Sequence, residues 1–254
     1  MCTFVVLRRP GHAWPVLIAA NRDELRSRPW LPPGRHWPDH ELVGGLDQVG
    51  GGTWMAINES GLVAGVLNRE NTLGPLAGKR SRGELPLEAL DHADAAAAAE
   101  ALGGLDPRSY RPFNLVLADN RDAFVLCHRD PSGEFPIEVR KLGVGISFIT
   151  AAEPDDPKSP RVAFHKPRFA AAPVPDPDKN DWASWEILLA SRDRAPGAPA
   201  GGAMFVEGSN GFGTVCASLV ALPAPGDPPR DPIWRFAAGE PERWEWVSIP
   251  TQLG

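Results

Sequence analysis

Cysteine is scarce in this chain. Only Cys2, Cys127 and Cys216 occur among 254 residues. They are too few and too far apart for a disulfide framework or a structural zinc site. Such usage fits a reducing compartment. Lysine is nearly as rare, five of the 26 basic residues against 21 arginines. Together with 28 prolines and an alanine-rich stretch, that skew reads as codon usage in a GC-rich bacterial genome, without functional weight. No stretch reaches the about 18 uninterrupted apolar residues of a membrane span. A net charge of −6 argues against a nucleic-acid-binding surface. Near the N-terminus Arg8-Arg9 follow a five-residue run, the reverse of a secretory signal. A cytoplasmic location is therefore expected.

The composition that is present is ordinary for a globular protein, with 43% hydrophobic and 23% charged residues. A chain of this length buries a sizeable core. Short β-rich runs at 3–9 and 16–20 flank Gly11 and Pro15 and predict an opening hairpin that ends in Asn21-Arg22-Asp23-Glu24. Residues 26–40, with four prolines, predict a surface loop. Thr53–Asn58 with Leu62–Leu67, and Phe113–Asp119 with Ala123–His128, predict two more hairpins. Ser81-Arg82-Gly83-Glu84 has capping-box spacing ahead of one or two helices in 84–102. One or two strands are expected in 137–150, and a short helix near 160–170. Asp181–Arg192 reads as a helix on a Trp182/Trp185 face. Strands are expected at Val215–Leu222, Ile233–Ala237 and Arg243–Ile249, the last from strict alternation around Trp244 and Trp246. About ten antiparallel strands and two or three helices make an α+β fold, read as one domain over 1–254.

Cys2 carries the chemistry-bearing signal. Removal of Met1 would leave a residue holding both a thiol and an α-amine. The amine's ordinary pKa of about 7.7–8.0 suits it as base for its own thiol. Hairpin geometry returns Asn21–Glu24 to the side of Cys2. Asp23 is placed to hold the amine, and Arg22 to stabilise thiolate or oxyanion charge. On residues alone, an inert packing cysteine and a solvated ion-paired turn stand beside that reading. His36, Asp39 and His40 lack a third ligand at metal spacing, so no metal site is expected. Gly50-Gly51-Gly52 lacks the Lys-Ser/Thr of a phosphate loop and is expected to give close backbone approach near the nucleophile. Trp30, Trp37 and Trp54 are candidates to line a cleft for an apolar ligand arm.

Met1-Cys2, Leu17–Glu24 and Arg28-Pro29 resemble the NRDE, or transport-and-Golgi-organisation, family. Gly45-Leu46-Asp47, Gly51–Ile57, Arg82–Leu85, Phe113-Asn114-Leu115, Ala118-Asp119 and Gly211–Thr214 match its later blocks in order. That family is similar in turn to cysteine N-terminal-nucleophile hydrolases such as penicillin V acylase and bile salt hydrolase. The resemblance implies a four-layer αββα sandwich with Cys2 as nucleophile. It also implies Asn21 and Asp23 in an Asn-x-Asp motif, Asn68 at an oxyanion site, and Arg161 as a later active-site arginine. Gly52, Thr53 and Trp54 become candidate substrate-binding residues. Three positions depart from the pattern: Ala20 and Val215 where arginines stand, and Phe148 where an asparagine stands. Loss of an oxyanion donor costs about 10²–10³ in rate.

The function this implies is hydrolysis or acyl transfer at an amide or thioester of a small N-acyl compound, with Cys2, Arg22, Asp23 and Asn68 as the catalytic set. No cofactor is expected. The alternative is a non-catalytic haem or lipid carrier on the same fold, with Cys2 as an axial ligand to haem iron.

Overall fold

The computed structural model describes residues 2–226 and 228–252. Its strands are β1 (Thr3–Arg8), β2 (Val16–Leu25), β3 (Trp30–Gly34), β4 (Leu42–Asp47), β5 (Thr53–Asn58) and β6 (Val63–Asn68). After helices α1 (Glu84–Ala89) and α2 (Ala95–Gly103) come β7 (Phe113–Ala118), β8 (Ala123–His128), β9 (Glu138–Lys141) and β10 (Gly145–Ile149). Helices α3 (Pro160–Ala171) and α4 (Ala183–Leu189) precede β11 (Phe212–Leu222), β12 (Ile233–Ala238) and β13 (Val247–Ile249). One antiparallel sheet has the order β10-β1-β2-β11-β12-β13, and the other runs β3 to β9 in sequence.

The layers follow from the two-residue period of the strands. In β2, Val16, Ile18 and Ala20 point between the sheets, while Leu17 and Ala19 point toward α3 and α4. In β5, Met55 and Ile57 point between the sheets, and Ala56 meets α1 and α2. Both sheets are thus apolar on both faces and need a helical layer outside. The result is the αββα order. The alanine-rich stretch supplies one outer layer by burying Ala95, Ala98, Ala99 and Leu102, one face of α2. Trp182 and Trp185 are fully buried in the other.

Several expectations change. Asn21–Leu25 does not follow the second strand; it belongs to it, because β11 pairs with β2 as far as Leu25. The 26–40 segment contains β3, whose register shifts between Leu31 and Gly34, where Pro32 and Pro33 lie. A shifted edge strand tolerates prolines that lack a ladder donor. β4, glycine-rich at Gly44-Gly45, had no hydrophobic signal to announce it. Ser81 does not box Glu84: the N-cap of α1 is Gly83, and the Glu84 carboxylate turns to Arg80 at 2.8 Å. Only Val247–Ile249 of the last segment is a strand. Trp244 instead packs edge-on against both Trp246 and Phe205.

Candidate active site

Cys2 immediately precedes β1, and its Sγ lies 3.7 Å from the Asp23 carbonyl oxygen, to which the thiol donates. The register Thr3↔Asn21 sets Cys2 alongside Arg22 on β2. Cys2 is half-buried and packs against the inter-sheet core. Burial pushes its thiol above the ordinary range; the Asp23 charge adds to the rise, and Arg22 opposes it. A raised thiol carries little thiolate at neutral pH, so nucleophilic use of Cys2 requires a nearby proton acceptor. Met1 lies outside the described residues.

Asp23 is fixed from two directions. Thr214 Oγ1 on β11 donates to its Oδ1 at 2.6 Å, and Arg161 Nη2 on α3 donates to its Oδ2 at 3.0 Å. Arg161 Nη1 also donates to Thr3 Oγ1, and its Nε to the Gly201 carbonyl at 2.9 Å. Thr214 Oγ1 accepts from Val206 N–H at 2.8 Å. A buried anion held by charge-assisted bonds from two elements is rigid, which suits a positioning role. The Asn-x-Asp spacing decides this geometry: Asn21 and Asp23 share the face toward α3 and α4. Asn21 does not reach the cleft. Its Nδ2 donates to the Leu189 and Met204 carbonyls at 3.0 and 2.9 Å, tying β2 to the helical layer. Asn21, expected to bind substrate, is absent from the lining of the open cleft, and its amide nitrogen is spent on this tether.

Arg22 faces the other way, between the sheets, as does Ala20 two residues earlier. Ala20, where the family pattern has an arginine, and Arg22 therefore share one face by the strand period. The Arg22 guanidinium lies 4.3 Å from the Trp54 ring centroid and 6.0 Å from that of Trp30. It reaches Asp47 at 3.6 Å, and its buried Nη1 has no hydrogen-bond partner among the described residues. Trp54 itself fits because Gly45 offers no side chain: a Cβ there would sit 2.1 Å from the indole. The space around Cys2, Arg22, Trp54 and Cys216 holds about 10 Å³, so this tryptophan-lined end is closed. Trp37 is elsewhere, donating to the Gly51 carbonyl at 2.9 Å.

The open cleft, about 520 Å³, is lined by Cys2, Asp23, Asn68, Arg69, Asn71 and Leu73, with Glu70 at its rim. The structure therefore brings together Cys2, Asp23 and Asn68, while Arg22 stands behind Cys2 and Arg161 behind Asp23. Gly52 and Thr53 are outside this lining. A Cβ on Gly52 would meet the Gly83 carbonyl carbon and oxygen at 2.3 Å, and Thr53 N–H donates to that oxygen at 2.9 Å. The close approach expected of this glycine run is real, but its partner is the start of α1 and not the nucleophile. His40 pairs with exposed Asp91, and His36 contacts the Pro32 carbonyl. Among the described residues no group of three or more His, Cys, Asp or Glu side chains could hold a metal ion.

Phe148 does not stand at the cleft. It packs on Phe169 in the α3/α4 layer, and its register partner is Val5. Extending that register past Phe4↔Ile149 sets Ala151 beside Cys2. Val215 sits at the β-bulge between Thr214 and Cys216 and packs with Trp30, Trp54 and Phe236. Neither residue lines the cleft.

Three further residues build the site, and each lies inside a block that resembles the family. Thr214 orients Asp23. Asn114 joins the sheets, donating to the Thr150 and Ala152 carbonyls at 2.8 Å each and accepting from Arg69 at 2.8 Å. Buried Arg82 donates to Thr72 and to the Pro112 carbonyl, bracing the loop that walls the cleft. Block membership was the available signal; spacing alone assigned them no task.

The family description Transport and Golgi organisation 2 matches residues 1–181 of this chain. The chain belongs to that family. This member of the Transport and Golgi organisation 2 family is also similar in fold to solved N-terminal-nucleophile hydrolases. One is the Caenorhabditis elegans ortholog of N-acylethanolamine-hydrolyzing acid amidase, 12% identical, with a TM-score of 0.51 over 86% of this chain and 92% of that one. Another is a mutant conjugated bile acid hydrolase from Clostridium perfringens, 12% identical, with a TM-score of 0.53 over 98% and 92%. No curated protein matched. Among the described residues, no helix of this family member is long and apolar enough to cross a membrane.

Proposed function

We propose that this protein is an N-terminal cysteine hydrolase or acyltransferase acting on an amide or thioester bond of a small acyl compound. One observation carries the reading. Cys2, a buried and doubly anchored Asp23, and Asn68 open onto a single cleft. Similarity in fold to an amide hydrolase supports it.

In this reading, loss of Met1 exposes the Cys2 α-amine, and Asp23 orients it. The amine takes the thiol proton, which burial would otherwise keep on sulfur. Sγ attacks the carbonyl carbon, and Asn68 donates to the oxyanion. The tetrahedral intermediate collapses to an acyl-thioester on Cys2. The leaving amine or thiol takes its proton from the α-ammonium. Water, or an acceptor nucleophile, then gives up a proton to the α-amine and releases the acyl group. Arg22 lowers the cost of negative charge on Sγ from the inter-sheet side. Arg161 and Thr214 position Asp23.

Two measurements test this. The intact mass of protein from its native host should lack one methionine residue. Purified protein should hydrolyse short N-acyl amides, and Cys2→Ala should not. Undiminished turnover by Cys2→Ala, or a retained Met1, would overturn the mechanism. The haem- or lipid-carrier alternative draws less support. The lining of the cleft beside Cys2 mixes Asp23, Asn68 and Asn71 with Leu73 and the Cys2 thiol, and carries no group specific to haem or lipid.

A further inference from the structure

A second chamber of about 510 Å³ adjoins the cleft, and Arg69, Glu70 and Asn71 form the wall they share. Its charges are unevenly committed. At one end Glu153 is taken by both Arg69 and Arg129. Asp156 accepts the Lys158 N–H at 2.9 Å, and Glu70 is exposed at the shared wall. In the same lining, Lys79 and Arg111 have no carboxylate within ion-pair distance among the described residues. Lys79 Nζ donates to the Arg108 carbonyl at 2.5 Å. Arg111 Nη1 donates to the Leu73 and Gly74 carbonyls at 2.6 and 2.9 Å.

Buried Arg82 is held like them by uncharged oxygens, of Thr72 and Pro112. Burial, helped by the Arg111 charge, pulls it down to about 10, while the Cys2 and Glu24 charges oppose that fall. Arg82 Nη2 and Arg111 Nη1 share the Gly74 carbonyl, at 3.5 and 2.9 Å, so the two guanidiniums are near enough to repel. Cations that line one chamber and are bound only by uncharged oxygens form a ready site for an anion, which would gain charge-assisted hydrogen bonds.

We propose that the second chamber is an anion subsite in which Lys79 and Arg111 bind a carboxylate or phosphate on the arm of a substrate whose carbonyl lies at Cys2. The proposal rests on the reading of Cys2 as nucleophile for its connection to catalysis. It adds a charged arm on the leaving-group side to the apolar acyl arm expected from the sequence.

Binding separates the two ideas. The full chain carrying Cys2→Ala would be titrated calorimetrically with N-hexanoylglycine, N-hexanoylethanolamine and the phosphate ester of the latter. An anionic compound should bind at least tenfold tighter than the neutral ethanolamide, with an advantage that shrinks as salt rises. Lys79→Met should remove most of that advantage. It is the primary variant because Arg111 also supports the 73–74 loop. The glycine and phosphate arms decide which anion is preferred. Equal affinity for neutral and anionic compounds, an advantage untouched by Lys79→Met, or no binding of any of the three would overturn the subsite. Wild-type turnover of the ethanolamide without an anion preference would sink the subsite and leave the hydrolase reading standing. A salt-sensitive preference without turnover would do the reverse.

Discussion

Asp23 and Arg161 form a buried ion pair, 3.0 Å apart, that joins the central strand β2 to the outer helix α3 beside Cys2. Both side chains are almost fully excluded from solvent. The pair thus links the fold's stability to the position of the proposed catalytic carboxylate. Arg161→Met would remove a buried counter-charge, which costs about 3–5 kcal/mol. Urea unfolding should show that loss. An unchanged midpoint would mean that Asp23 is held without Arg161.

Thr214→Val keeps the volume at β11 and removes the hydroxyl that donates to Asp23. We expect a loss of about 1–3 kcal/mol, since a buried carboxylate and the Val206 N–H each lose a partner. Turnover should fall further than stability, because Asp23 is freed to rotate. The ratio of kcat between variant and wild type, at a temperature where both are folded, checks this.

Asn114→Leu should be among the more damaging core substitutions. It would strand the Thr150 and Ala152 carbonyls at the junction of the two sheets and take the amide acceptor from Arg69 Nη1, whose Nη2 keeps Glu153. Unmet buried groups cost about 1–3 kcal/mol each. Chemical denaturation should place its midpoint well below that of Gly52→Ala. That variant carries the overpacking cost of about 1–3 kcal/mol, because a Cβ would strike the Gly83 backbone.

The protein should lose stability on acidification in two stages. Burial holds His165 down at about 4 against an ordinary 6.5. An unfolded chain takes up that proton first, so the contribution is complete above pH 6.5 and is lost as pH falls toward 4. Glu153, held near 2 by Arg129 and Arg69 against an ordinary 4.5, adds a second loss between pH 4.5 and 2. Thermal unfolding across pH 4–7 should show a shallower slope in His165→Gln. An equal slope would assign the first stage to other groups.

The sheet-forming runs were legible because strands buried on both faces are written as apolar residues: Thr3–Arg8, Thr53–Asn58 and Phe113–Ala118 fall within a residue or so of where the pattern predicts them. β3 and β4 were not, since prolines and glycines carry no hydrophobic period. The proximity of Cys2 and Asp23 followed from one hairpin. Thr214 and Arg161 could not be reached that way, being 191 and 138 residues from Asp23.

By itself, then, the sequence determined the apolar hairpin strands and the meeting of Cys2 with the Asn21–Glu24 tetrapeptide, while the αββα layering was implied by the family resemblance. The strands and that meeting depend on local period and short loops. Only the tertiary structure decided that Asn21 is a tether, that Arg22 and Asp23 face opposite sides of one sheet, and that the tryptophan end is closed. It alone brought Lys79, Arg82 and Arg111 together. Those outcomes depend on which distant strand or loop fills the neighbouring space, and packing between sheets, not spacing along the chain, settles that.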